Sequence, residues 1–159
     1  MNANGKHIFT IWVDADACPR DIRDIIELAA LRRRVPAVFV ANTYMHLHPS
    51  EHIRFQLVDK GGDKADDYIV ENAAPNDLAV TADIPLAARL VEGDVAVVNT
   101  RGEELTAANI GERVAMRNLM EELRGAGMVA GGPKEMEKGD VQRFANSLDR
   151  FLTRRLKNG

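Results

Sequence analysis

IWVDADACP, residues 11–19, joins a short apolar run to a proline across two aspartates. The run before them, His7–Val13 (HIFTIWV), is β-branched and aromatic and predicts a buried strand. Pro19 suits the first turn of a helix. Ile22, Ile25, Ile26, Ala29 and Ala30 then recur at helical spacing to about Arg34. Asp14 and Asp16 therefore sit where a buried strand hands over to a helix.

The same alternation continues. Residues 36–40 and 53–58 predict a second and a third strand, separated by a polar loop over 42–52. A helix is expected from Asp63 to about Ala73, a fourth strand over 77–81, a short helix over 85–91 and a fifth strand over 95–98. Strands alternating with helices imply right-handed crossovers and a parallel sheet covered on both faces. From Thr106 onward the pattern is helical. Ile110, Val114, Leu119 and Leu123 mark one stripe over 107–125. After the glycine-rich GAGMVAGGP, a last helix over about 138–156 carries Phe144, Leu148, Phe151 and Leu152 as core contacts.

The length of 159 residues suits one domain able to bury a core. No apolar run reaches the roughly 18 residues of a membrane span, and MNANGKH lacks the apolar stretch of a signal peptide. With Cys18 the lone cysteine, a soluble cytoplasmic protein is expected. Cys18 itself predicts a small buried side chain. Residues 1–100 carry 10 Lys/Arg against 15 Asp/Glu, a net −5; residues 101–159 carry 11 against 9, a net +2. An acidic half followed by a mildly basic helix could suit a polyanion, and a solvated helix face is the alternative.

In an open parallel sheet, ligands bind beyond the carboxyl ends of the strands, where the strand order reverses. With the first strand central, Asp14 and Asp16, Asp63 and Asp83 leave three separate connections on that one rim. Crowded carboxylates raise each other's pKa, so their convergence points to a hard divalent cation, Mg²⁺ or Mn²⁺. Asp14, Asp63, Asp66 and Asp83 are the candidate ligands, and Asp14, Asp16, Asp63 and Asp83 the candidate catalytic residues. Helix capping is the competing role for Asp16, Asp63 and Asp83. Asp66 and Asp67 follow Asp63 at i+3 and i+4, on one helix face. Thr81, Lys60, Arg101 and Asn42 are candidate substrate contacts. Thr81 could also orient Asp83; the alternatives are local: a strand-end hydrogen bond for Thr81, Asn42 capping a turn, Lys60 solvated, and Arg101 paired with Glu103 or Glu104. His46, His48 and His52 (HLHPSEH) lack the cysteine pair of a typical zinc site.

IWVDADACP, GGDKADDYIVE, DLAVTADIPLAA, NTRGEELTAANI, ERVAMRNLMEELR and the later GGP together resemble the YaiI/YqxD family of uncharacterised bacterial proteins, over nearly the whole chain. The resemblance implies similarity to PIN-like and NYN-type domains, which are metal-dependent ribonucleases. It implies a three-layer α/β domain over 1–159 with a mainly parallel five-stranded sheet. Residues 1–100 would form the metal-site core, and 101–159 a helical extension packed on it. Asp14, with Asp16 beside it, resembles the first-strand aspartate of those nucleases. Lys60-Gly61-Gly62-Asp63 resembles the Lys-Gly-x-Asp element of NYN domains, with Asp66 next on the helix. Asp83 resembles the acidic pair after the fourth strand, but Ile84-Pro85 follows and the second acid is missing. The implied partner is RNA; no membrane is expected, and a homodimer is left open.

Two other functions compete. VDADAC resembles the Asp-x-Asp motif of haloacid-dehalogenase-like phosphatases, with Asp14 as nucleophile, Asp16 as general acid and Thr81 in a second motif. A non-catalytic RNA-binding protein is the other, although one Trp and two Tyr leave little for base stacking.

Overall fold

Strands that are apolar on both faces need cover on both faces, and this chain supplies it. In the computed structural model, which describes residues 9–131 and 135–158, the first half runs β1 (Ile11–Asp14), α1 (Arg20–Arg33), β2 (Ala37–Ala41), β3 (Ile53–Leu57) and α2 (Lys64–Asn72). It continues β4 (Leu78–Val80), α3 (Ile84–Glu92), β5 (Ala96–Val98), β6 (Glu104–Leu105), α4 (Ile110–Gly125) and α5 (Lys138–Asn158). What the sequence predicts for His7 and Ile8, and for the Gly-Pro end of the glycine-rich break, lies outside the described residues.

One sheet of order β3-β2-β1-β4-β5-β6 organises the molecule. β1 to β5 are parallel, and β6 runs antiparallel to β5. The central position of β1 is as expected. The count of five strands is corrected to six among the described residues, because Asn99 closes a tight turn within NTRGEE. Its side-chain oxygen accepts the N–H groups of Arg101 and Glu103 at 2.9 and 3.0 Å. No hydrophobic period marks a two-residue strand, so side-chain patterning alone leaves β6 invisible.

Alternation sorts the side chains. Ile11 and Val13 of β1 and Leu78 and Val80 of β4 face a core shared with Ile22, Ile26, Phe144, Leu148, Phe151 and Leu152 of α1 and α5. Trp12 and Ala79 face the opposite core, with Ile69 of α2 and Leu86, Ala87 and Leu90 of α3. The last helix thus packs on the sheet through the four residues its spacing picked out. Asp77 ties down the amino edge. Its carboxylate accepts Trp12 Nε1–H at 3.0 Å and the N–H groups of Thr10 at 2.9 Å and Ala74 at 2.8 Å.

Helix α4 departs from expectation. It starts at Ile110 rather than Ala107, because Thr106–Asn109 form a turn in which Asn109 Oδ1 accepts the Thr106 N–H at 2.8 Å. It contains no buried residue, and Leu119 of the predicted stripe is 47% exposed. Its main helix neighbour among the described residues is α3, and part of the apolar stripe faces outward.

The turn before β6 presses on α5. Arg101 pairs with Asp140 at 2.6 Å, and Asp140 also pairs with Arg143. Gly102 has φ +87°, and a Cβ there would lie 2.6 Å from the backbone carbonyl of Arg143. Gly102→Ala is expected to cost about 2–4 kcal/mol in urea denaturation. A loss below about 1 kcal/mol would contradict this close approach.

Candidate functional site

The carboxyl ends of β1 and β4 lie side by side, with Val13 paired to Val80. One residue further on, Asp14 and Thr81 fall on the face of Trp12 and Ala79, toward α2 and α3. Thr81, 1% exposed, donates its hydroxyl to Asp14 Oδ2 at 2.8 Å and accepts the Asp83 N–H at 3.0 Å. Its one O–H is committed to Asp14, so Thr81 orients both acids, and the phosphate contact considered for it is not what this geometry provides.

An open cleft of about 340 Å³ occupies this corner. Asp14, Asp16 and Ala17 line it from the β1–α1 connection, and Asn42 from the end of β2. Gly62, Asp63, Ala65 and Asp66 come from the start of α2, and Ala82 and Asp83 from the start of α3. Five carboxylates from three connections therefore share one cavity. The alanines and Gly62 leave the room between them; their small size in the motifs ADI and GGDKADD was the signal available in the sequence. Gly61 and Gly62 both take positive φ, at 115° and 44°, in the turn that delivers Asp63.

The capping alternatives separate cleanly. Asp83 is a true N-cap, accepting the Leu86 N–H at 3.0 Å. Asp63 is at the N-cap position of α2 but makes no capping hydrogen bond, and α1 is capped at Pro19 rather than by Asp16. Asp16 Oδ2 instead accepts the Asn42 N–H at 2.7 Å, tying the ends of β1 and β2 together. Asp67 does not join Asp63 and Asp66. It turns to Arg89 of α3 at 3.0 Å and borders a separate groove beside Lys64 and Glu71. Arg101 pairs with Asp140 of α5, away from the cleft lining, and Lys60 is exposed two residues before Gly62.

Crowding shows in the acids' proton affinities. Burial pushes the Asp14 pKa up; the Thr81 hydrogen bond opposes this, and Asp83 and Asp16 add to the rise. Asp66 is pushed up to about 6, first by burial and then by Asp83, Asp14 and Asp63, with Arg89 opposing. Cys18, buried beside α1, is pushed up to about 12 mainly by burial, which keeps its thiol protonated and inert. Among the described residues, no three His, Cys, Asp or Glu side chains already stand at metal-ligand spacing, the three loop histidines included. The donor chemistry suits a hard ion that keeps most of its water and touches one or two carboxylates, the habit of Mg²⁺. Among the described residues no helix is long and apolar enough to cross a membrane.

Comparison with known proteins places the chain. Residues 12–154 match the family described as Uncharacterized BCR, YaiI/YqxD family. A UPF0178 protein of Geobacter metallireducens is 50% identical over 147 residues, covering 92% of this chain and 95% of the relative. Another from Dechloromonas aromatica is 51% identical over 144 residues, covering 91% and 96%. A third from Shewanella baltica is 47% identical over 146 residues, covering 92% and 97%. No solved structure matches the chain. The chain belongs to the YaiI/YqxD family.

The raised Asp66 pKa has a definite sign. The folded chain holds this proton up to about pH 6, whereas the ordinary value is 3.8. Stability is therefore lost as pH rises through that window. In EDTA, Asp66→Asn is expected to stabilise the protein by about 1 kcal/mol at pH 8, after discounting for solvent screening, and to have no effect near pH 4. Thermal melts at the two pH values check this; a substitution that destabilises equally at both would contradict it.

Proposed function

We propose that this YaiI/YqxD family member is a divalent-metal-dependent nuclease acting on RNA. The observation that carries the reading is the convergence of Asp14, Asp16, Asp63, Asp66 and Asp83 on one cleft at the strand-order reversal. The resemblance of Asp14 and of Lys60–Asp63 to the acids of PIN-like and NYN-type nucleases supports it.

Asp14, Asp63, Asp66 and Asp83 are the residues that would hold Mg²⁺ or Mn²⁺, one or two of them directly and the others through the ion's water. When bound, such an ion supplies a polarised phosphoryl oxygen and a water of lowered pKa. The chain's own contribution is placement. Thr81 fixes Asp14 and the backbone of Asp83, and the Asn42 N–H fixes Asp16. Capping of α3 holds the Asp83 carboxylate at the cleft wall. Lys60 and Lys64 flank the glycine turn with positive charge that can offset an incoming phosphate chain.

The phosphatase alternative is less well supported. Asp14 as nucleophile would have to act from 8% exposure, with one oxygen already bonded to Thr81. An aryl phosphate turned over through an aspartyl-phosphate would nevertheless establish it.

In Mn²⁺, the wild type is expected to cleave RNA, and Asp14→Asn to lose about two to three orders of magnitude in rate. The melting temperature of Asp14→Asn in EDTA should be unchanged or higher, because like charges are relieved. Asp83 separates two roles: Asn keeps the helix cap and Ala removes it. Both substitutions should lower the cleavage rate, but only Asp83→Ala should cost about 1 kcal/mol of stability. Cleavage that persists in EDTA or in Asp14→Asn would contradict the proposal.

A further inference from the structure

We infer that the loop after β2 and the first turns of α1 form a nucleotide subsite beside the cleft, where a base of single-stranded RNA stacks on Tyr44 and a neighbouring phosphate pairs with Arg23. The subsite deepens the RNA reading above, but it is a claim about binding and does not need turnover.

Two independent observations carry it. Tyr44 is 72% exposed. Its ring is propped against Phe55 in a T-shaped contact, with centroids 5.6 Å apart and planes at 75°, so it stands out as a supported platform rather than a loose side chain. Arg23 is half-buried; its Nε lies beneath the surface, so its terminal nitrogens are the donors a phosphate can meet. One terminal nitrogen rests on Met45 Sδ at 3.3 Å, a weak acceptor. Among the described residues, no carboxylate lies within ion-pair distance of this guanidinium. Terminal guanidinium nitrogens left without an oxygen partner offer phosphate a complementary charge and N–H donors.

The two sites are adjacent to each other and to the cleft. Arg23 touches Met45, the next residue after Tyr44. Asn42 lines the cleft, and two residues of chain keep the Tyr44 Cα within roughly 7 Å of the Asn42 Cα. A strand with one phosphate among the carboxylates can therefore cross the sheet edge and lay its next base on Tyr44. Stacking requires an unpaired base, so duplex RNA should be refused.

The test is fluorescence anisotropy with a short labelled oligouridine and the duplex it forms with oligoadenine, in Ca²⁺ and away from cleavage conditions. The wild type should prefer the single strand. Tyr44→Ala should weaken single-strand binding about 10-fold, with Tyr44→Phe close to wild type. Arg23→Gln should weaken it and reduce the log–log salt slope by about 1, with Arg23→Lys preserving the slope. Melting curves confirm that the variants fold. If Tyr44→Ala and Arg23→Gln bind like the wild type, or if the duplex binds as well as the single strand, the subsite is overturned, even where Mn²⁺-dependent cleavage is seen. If both weaken binding but RNA is never cut in Mn²⁺, the subsite stands and the nuclease reading falls.

Discussion

One hydroxyl holds the corner on which the site depends. Thr81 joins the ends of two neighbouring parallel strands by donating to Asp14 and accepting from the backbone of Asp83. Because β1 and β4 run in register, the residues that follow the paired Val13 and Val80, Asp14 and Thr81, project to the same face. Helices α2 and α3 pack on that face and begin at its edge, bringing Asp63, Asp66 and Asp83 with them. The cleft is thus a consequence of topology: parallel strands end together, and the connections on one face start together.

That arrangement has an electrostatic cost. Asp14 is nearly buried, and its pKa and that of Asp66 are both displaced upward, with neighbouring carboxylates among the causes. A fold selected for stability alone would place amides or apolar groups there. The Asp77 carboxylate at the other edge shows the contrast. Three N–H donors satisfy it, and it serves the strand register. Asp14 and Asp77 are both buried and are distinguished by their partners rather than by their burial.

Much of this was legible before the structure. Short apolar runs bounded by helical periods gave the order of β1 to β5 and α1 to α3, and the acids fell at the junctions. What the sequence hid was partner choice. Spacing puts Asp63, Asp66 and Asp67 on one helical face, yet Arg89 on α3 draws Asp67 away. Arg101 was expected to meet phosphate or an adjacent glutamate. It meets Asp140 instead, 39 residues on, because the Gly102 turn lies against α5. An apolar stripe on α4 implied burial, but a period reports only which residues share a face, not whether anything covers it. β6 was missed because two residues carry no period at all.

The central claim, that these carboxylates gather a divalent cation, is tested most directly by Mn²⁺ titration followed by electron paramagnetic resonance of the free ion, on the wild type and on Asp14→Asn. The account predicts saturable binding by the wild type that is strongly weakened when Asp14 loses its charge. A wild type that takes up no Mn²⁺, or an Asp14→Asn protein that takes it up equally well, would contradict it.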